Sequence, residues 1–143
     1  GYVDAGKREG GELVCGGDAP ARPGYFFEPT VFARMRADMT PVKSEIFGPV
    51  LCVQSFDDAD LDRVAAEANS TIYGLSGSVW TRDIGLAMQM VRRIDAGQVS
   101  VNMHAALDPA MPFGGNKQSG WGREFGKEGL EPYLKTKGVS VAW

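Results

Sequence analysis

Across residues 50–102 the apolar residues switch repeatedly between a period of two and a helical period, and this restricts the fold more than any other feature of the chain. The run from Val50 to Val53 opens a strand over 50–56. Leu61, Val64, Ala65 and Ala68 then follow the i, i+3, i+4, i+7 rule of a helix, with Asp57 or Asp58 as its N-cap. Residues 75–81 alternate small and apolar side chains as a second strand. Asp83 caps a second helix whose Ile84, Ala87, Met88, Val91 and Ile94 share one face, and Gly97 is expected to end it. Residues 98–102 supply a third strand. The order β-α-β-α-β, with right-handed crossovers, predicts an α/β fold around a parallel sheet.

The flanks are less regular. Residues 2–9 read as a helix stopped by Gly10-Gly11, and 12–15 as a short strand closed by Gly16-Gly17. Pro20 and Pro23 make 18–24 a loop, and 26–35 is extended with Pro29 at an irregular position. Thr40-Pro41 caps a short helical turn, because proline at a helix start forfeits no hydrogen bond. Residues 103–120 form a long loop, 127–134 a helix interrupted by Pro132, and 136–143 a strand with Val139, Val141 and Trp143 on one face. That last strand needs a sheet outside the core, so the chain divides into 1–134 and an oligomerisation strand over 135–143. Because Gly1-Tyr2-Val3 already lies in a helical pattern, the chain is expected to be a piece of something longer.

Composition removes several classes of function. The 143 residues carry a net charge of −3 with scattered Lys and Arg, which is no footprint for nucleic acid. No apolar run approaches the roughly 18 residues that a membrane span needs. Cys15 and Cys52 have no CxxC spacing, which argues against a zinc site or a disulfide framework and suits a reducing compartment, the cytoplasm by default.

The densest chemical signal is Lys43-Ser44-Glu45-Ile46-Phe47-Gly48-Pro49-Val50. Gly48 permits a bend and Pro49 pushes Gly48 out of the helical region, so Glu45 and Phe47 should stand together at a strand entrance. A carboxylate beside a flat ring suits a ligand with a diol and a planar heterocycle. The competing reading pairs Glu45 with Lys43 or Lys117 at the surface. Ligands of open parallel sheets gather beyond the strands' carboxyl ends, which draws attention to Asn102, His104, Leu107, Phe113, Gly114 and Gly115. Phe113 is equally a core ring, and His104 has no second ligand with which to hold a metal. Gly120-Trp121-Gly122 follows no strand and its third glycine comes late, so it is no dinucleotide fingerprint; Gly122-Arg123-Glu124 reads as a tight turn.

Glu45-Ile46-Phe47-Gly48-Pro49-Val50, Asn69 with Tyr73-Gly74-Leu75, residues 97–102, and residues 112–120 with Gly122-Arg123-Glu124 together resemble the aldehyde dehydrogenase superfamily, in family order and nearly end to end. Gly16-Gly17 and Phe27-Glu28-Pro29-Thr30-Val31 resemble the segment that leads into the Glu-x-Phe motif. The resemblance covers the carboxyl-terminal part of such an enzyme. It implies NAD or NADP as cofactor, an aldehyde as substrate and a homo-oligomer. It implies that Glu45 accepts hydrogen bonds from the nicotinamide ribose and that Phe47 packs by the nicotinamide ring. It also implies that Phe113, with Leu107 and His104, lines the aldehyde tunnel. Leu107 stands where many relatives carry an aromatic. The nucleophilic cysteine, the oxyanion amide, the glutamate base and the dinucleotide fold belong upstream of the motif, so the chain by itself should be inactive, and neither Cys15 nor Cys52 replaces the nucleophile.

Two other readings compete: a non-catalytic module that docks through residues 139–143 onto another subunit's sheet, and an incomplete chain without separate biology. The apolar loop over 103–111 favours hydrophobic or aromatic aldehydes over charged ones.

Overall fold

The computed structural model describes residues 1–57, 60–104 and 107–143. They fall into two compact units, Gly1–Thr71 and Ile72–Trp143.

The first unit is built on one ring. Helix α1 (Tyr2–Arg8), strands β1 (Glu12–Cys15) and β2 (Thr30–Ala33), the single helical turn α2 (Thr40–Lys43) and strand β3 (Val50–Cys52) surround Phe32, which is 0% exposed. Val3, Met35 and Met39 complete the buried cluster, and Leu13, Val42, Val50 and Cys52 pack against it. Gly6 lets α1 lie on the ring, since a Cβ there would sit 3.0 Å from Phe32 Cζ. Burial of a phenylalanine and three further apolar side chains contributes about 1.5–3 kcal/mol each, enough to hold strands of three or four residues that are too short to persist alone. Strand β2 is central: it pairs antiparallel with β1, with a bulge between Leu13 and Cys15, and parallel with β3 in the register Thr30↔Val50, Phe32↔Cys52. The unit closes with helix α3 (Leu61–Ala68), which buries Ala65.

In the second unit, strand β5 (Ser76–Val79), helix α4 (Ile84–Arg93) and strand β6 (Gln98–Val101) form a β-α-β crossover, with β5 and β6 parallel from Ser76↔Gln98 to Val79↔Val101. Asp83 caps α4 by accepting from the Leu86 N–H at 3.0 Å, and the helix buries Ala87 and Met90. Strands β4 (Tyr73–Gly74) and β7 (Asn116–Lys117) make a separate antiparallel pair.

The α/β class, the order of elements and the parallel pairing agree with the sequence reading, and several details differ. The three strands of the repeating region do not share one sheet: β3 belongs to β2, while β5 and β6 pair with each other. Periodicity reports where strands lie along a chain and says nothing about which backbone they face. The N-cap of α3 is Asp60, whose carboxylate accepts from the Arg63 N–H at 3.0 Å, and not Asp57; Asp58 lies outside the described residues. Helix α4 stops at Arg93 with Ile94 extended, so Gly97 does not terminate it. Gly97 serves close approach instead, because a Cβ there would overlap the Gly114 carbonyl oxygen. The helix expected over 127–134 is a single 3-10 turn, Glu131–Tyr133, since Gly126 takes φ +58° and Gly129 sits against the Phe125 backbone. Among the described residues, 135–143 form no ladder, and Val139, Val141 and Trp143 are exposed.

Candidate functional site

The Glu45–Phe47 motif leaves α2 and enters β3. Ser44 is extended (φ −109°, ψ 144°), which ends the turn and starts an alternation: Glu45 exposed, Ile46 half-buried, Phe47 exposed. Phe47 is 90% exposed and takes φ +49°, a left-handed conformation that costs an aromatic residue roughly 1–2 kcal/mol. The backbone bends at Gly48 and Pro49, as expected, but the left-handed residue is Phe47: Gly48 has no positive φ, and its Cβ position would meet only Ile46, Cγ2 at 3.6 Å and the carbonyl oxygen at 4.0 Å. Among the described residues of its unit Glu45 has no hydrogen-bond or ion-pair partner, Lys43 included. A free carboxylate and a bare ring, two residues apart, thus flank Ile46. Two shallow hollows share Ile46, Gly48 and Val50. One of about 370 Å³ is lined also by Pro41, Glu45, Phe47 and Cys52. The other, about 340 Å³, reaches Tyr2, Gly17 and Phe27.

Both ends of the motif are fastened. On the carboxyl side the Thr30 N–H donates to the Pro49 carbonyl at 2.8 Å. Thr30 is itself 2% exposed, its hydroxyl donating to the Glu28 carbonyl and accepting from the Gly17 N–H, both at 2.8 Å. On the amino side the Glu9 carboxylate accepts from the Thr40 N–H at 2.6 Å and from the Thr40 hydroxyl at 2.7 Å. These hydrogen bonds hold the Glu9 carboxyl below its ordinary range, first through the hydroxyl and then through the N–H. Thr40 accordingly does not cap its own turn: Met39 is the N-cap residue, and Thr40 is a donor to a carboxylate 31 positions earlier. No sequence pattern flags Glu9, because its partner is distant in the chain. Thr40-Pro41 is the half of the contact that does show.

The residues expected to meet the aldehyde lie in the second unit. Phe113 is half-buried and bridged to Glu124, its N–H donating to the Glu124 carbonyl at 2.8 Å and its carbonyl accepting from the Glu124 N–H at 2.7 Å. With Leu75, Trp121 and the glycine backbone of 114–115 it lines a hollow of about 340 Å³. Neither Leu107 nor His104 lines that hollow. Leu107 is 54% exposed, and His104 is exposed with Nδ1 3.2 Å from Ser78 Oγ. Arg123 fixes the glycine turn. Its Nη1 donates to the carbonyls of Gly115 at 2.7 Å and Gly122 at 2.9 Å, and its Nη2 to Asn116 Oδ1 at 2.9 Å. The loop start is fixed by Asn102, which exchanges two 2.9 Å hydrogen bonds with the backbone of Thr81.

Neither cysteine has the environment of a nucleophile. Burial pushes the Cys52 thiol up, away from the thiolate, and Cys15 lies on β1 with Sγ 3.9 Å from the Pro29 carbonyl. Among the described residues no three of His, Cys, Asp and Glu gather closely enough to hold a metal ion, and no helix is long and apolar enough to cross a membrane.

A family model described as the aldehyde dehydrogenase family matches residues 1–139. The cytosolic 10-formyltetrahydrofolate dehydrogenase of Xenopus laevis is 45% identical over 142 residues, which is 99% of this chain and 16% of that protein. Aldehyde dehydrogenase 1 of Tanacetum cinerariifolium is 46% identical over 140 residues, 98% of this chain and 28% of that one. Among solved structures, the NAD-dependent aldehyde dehydrogenase of Sinorhizobium meliloti superposes with a TM-score of 0.92 at 44% identity, covering 98% of this chain and 28% of that one. The Bacillus cereus aldehyde dehydrogenase in complex with NAD+ gives a TM-score of 0.91 at 44% identity with the same coverage. The chain thus spans between about one sixth and under one third of the length of these relatives.

Proposed function

Since this chain belongs to the aldehyde dehydrogenase family, we propose that it forms the carboxyl-terminal part of an NAD(P)-dependent enzyme that oxidises an aldehyde to a carboxylic acid. In that role Glu45 accepts hydrogen bonds from the vicinal hydroxyls of the nicotinamide ribose, and Phe47 packs by the nicotinamide ring. The observation that carries the reading is the pairing of an unpartnered carboxylate with a 90% exposed ring in a strained backbone. Strain of this kind persists where surrounding structure enforces it, and here it holds a bare ring out toward solvent. The residues present fit the group: a carboxylate is an acceptor only and can take both hydroxyl protons at once, and the ring offers a face for a heterocycle. NAD(P)+, when bound, supplies the hydride acceptor. This chain's contribution is to fix where that acceptor sits, which lowers a barrier by removing orientational freedom beforehand.

Phe113, Leu107 and His104 line the aldehyde's approach in this reading, and a mostly apolar loop favours hydrophobic or aromatic aldehydes. The raised Cys52 thiol and the strand-bound Cys15 leave the nucleophile to residues upstream, so residues 1–143 alone are inactive. Two free thiols suit a reducing compartment such as the cytoplasm. In the full-length enzyme Glu45→Gln should raise the NAD+ dissociation constant and slow hydride transfer, read by cofactor titration and single-turnover absorbance. Unchanged binding at limiting cofactor would remove Glu45 from this role.

The exposed edge of residues 139–143 favours one further assignment: the 135–143 segment adds as a strand to another subunit's sheet in a homo-oligomer. Removing it should lower the mass measured in solution. An unaltered oligomer would exclude assembly through the tail.

A further inference from the structure

The turn that carries the cofactor motif cannot hold its own shape. Helix α2 has four residues, and a single turn fixes several backbone angles for one or two internal hydrogen bonds. Met39 offers no side-chain cap, Pro41 has no N–H, and only the Val42 and Lys43 N–H groups bond back, both to the Met39 carbonyl at 3.1 Å. The remaining donor at the start of the turn, the Thr40 N–H, is satisfied by Glu9. Glu9 is the C-cap residue of α1, so one carboxylate joins the end of one helix to the beginning of the next. A second tie runs parallel, from Arg36 Nη1 to the Glu9 carbonyl at 3.5 Å, with the same guanidinium paired to Asp38 at 3.1 Å. Glu45 lies two residues beyond the last residue of α2 and Phe47 four. Wherever α2 sits, the carboxylate and the ring follow.

We propose that Glu9 is a positioning residue for the nicotinamide cofactor: by binding the Thr40 N–H and hydroxyl it locks α2, and through α2 it sets Glu45 and presents Phe47 in its left-handed conformation. The inference rests on the assignment of Glu45 and Phe47 to the nicotinamide riboside. Glu9 touches no ligand in it. Its effect is on the fraction of molecules whose motif is ready, and the apparent dissociation constant scales inversely with that fraction.

The test is an NAD+ titration of the full-length protein, followed by tryptophan fluorescence, with the thermal midpoint recorded for every variant. Glu9→Ala removes both acceptors and should raise the NAD+ dissociation constant about tenfold, as expected if about one molecule in ten keeps the motif set. Glu9→Gln, which keeps one carbonyl oxygen, should fall between, and Thr40→Ser, which keeps both donors, should match the parent. A general loss of stability would act regardless of the motif, whereas positioning acts through Glu45 and Phe47 together. In a Glu45→Gln/Phe47→Ala background, which lacks both motif contacts, Glu9→Ala should therefore cost less than twofold. Full additivity of Glu9→Ala with that pair, or a lowered thermal midpoint with unchanged NAD+ affinity in Glu9→Ala, overturns the proposal. If Glu9→Ala does not fold, Glu9→Gln and Thr40→Val carry the same comparison. A neutral Glu45→Gln overturns the cofactor assignment and this inference with it. A weakened Glu45→Gln beside a neutral Glu9→Ala overturns this inference alone.

Discussion

The two units hold their candidate residues by opposite means. In Gly1–Thr71 the motif is seated on an apolar cluster around Phe32 and fastened at each end by a hydrogen bond from a threonine. In Ile72–Trp143 Phe113 sits on a turn secured by the Arg123 guanidinium and by glycines pressed on backbone, and among the described residues of the unit the buried apolar side chains are few, Ala87 and Met90. The first arrangement holds the left-handed Phe47 backbone between two fastened ends beside a packed cluster, while the ring itself stays 90% exposed. The second has little redundancy, so single polar or steric changes should reach its functional loop directly.

The largest expected effect is in the first unit. Phe32→Ala should destabilise by about 3–5 kcal/mol in urea unfolding, since Phe32 is fully enclosed and Gly6 already closes on its ring. A loss below about 1 kcal/mol would mean that the cluster is not what seats the motif. Gly97→Ala is the matching test of the second unit: the added methyl meets the Gly114 carbonyl, and a loss of about 2–4 kcal/mol is expected from overpacking against backbone that cannot turn aside. Arg123→Met comes next, at about 2 kcal/mol, because three acceptors lose their shared donor while the stem still packs. It should also raise KM for a bulky aldehyde more than for a small one. If instead it shifted NAD+ binding, the turn would serve the cofactor and the contrast between the units would fail.

A pH titration sharpens the contrast from the other side. The folded carboxyl of Glu9 lies below its ordinary 4.5, so its capping of α2 contributes fully above that value and is lost as the pH falls through the lower folded value. Asp38, held down by Arg36, acts in the same direction. Acidification from about pH 6 to about pH 3.5 should lower the thermal midpoint, and Glu9→Gln should reduce that slope. A slope unchanged in Glu9→Gln would show that other carboxylates dominate.

Helices and strands whose signal lies within a dozen residues could be read from the chain: β1, α3, α4, β6 and the Asp83 cap all show in local spacing. Contacts between distant residues could not. The pairing of β3 with β2 and the reach of Glu9 to Thr40 depend on side chains and backbones roughly twenty to thirty positions apart, and no periodicity encodes them. The 3-10 turn at Glu131–Tyr133 was hidden by helix formers around it, because Gly126 and Gly129 act through backbone angles and close approach rather than pattern. At the motif itself, the bend at Gly48 could be read from the Gly-Pro pair, but the left-handed conformation of Phe47 could not, because nothing in an aromatic residue's type signals it.

That difference between the bending glycine and the left-handed aromatic yields the smallest predicted effect and the sharpest one. A Gly-Pro pair next to a functional residue suggests that glycine is required, yet Gly48 has no positive φ, and a methyl there would touch only Ile46, Cγ2 at 3.6 Å and the carbonyl oxygen at 4.0 Å, both ordinary contacts. Residues before proline are pushed to extended backbone, which alanine accepts as readily as glycine. Gly48→Ala should therefore change stability by no more than about 0.5 kcal/mol, with a slight gain from the stiffer unfolded chain, and should leave NAD+ affinity within about twofold. The left-handed residue is Phe47, and any β-branched side chain there should cost more than alanine at Gly48. A Gly48→Ala variant that lost more than about 1 kcal/mol or bound NAD+ markedly worse would show that the bend at Gly48 requires glycine. The ring of Phe47 would then be presented by a flexible joint and not by the packed, doubly fastened frame that distinguishes the first unit from the second.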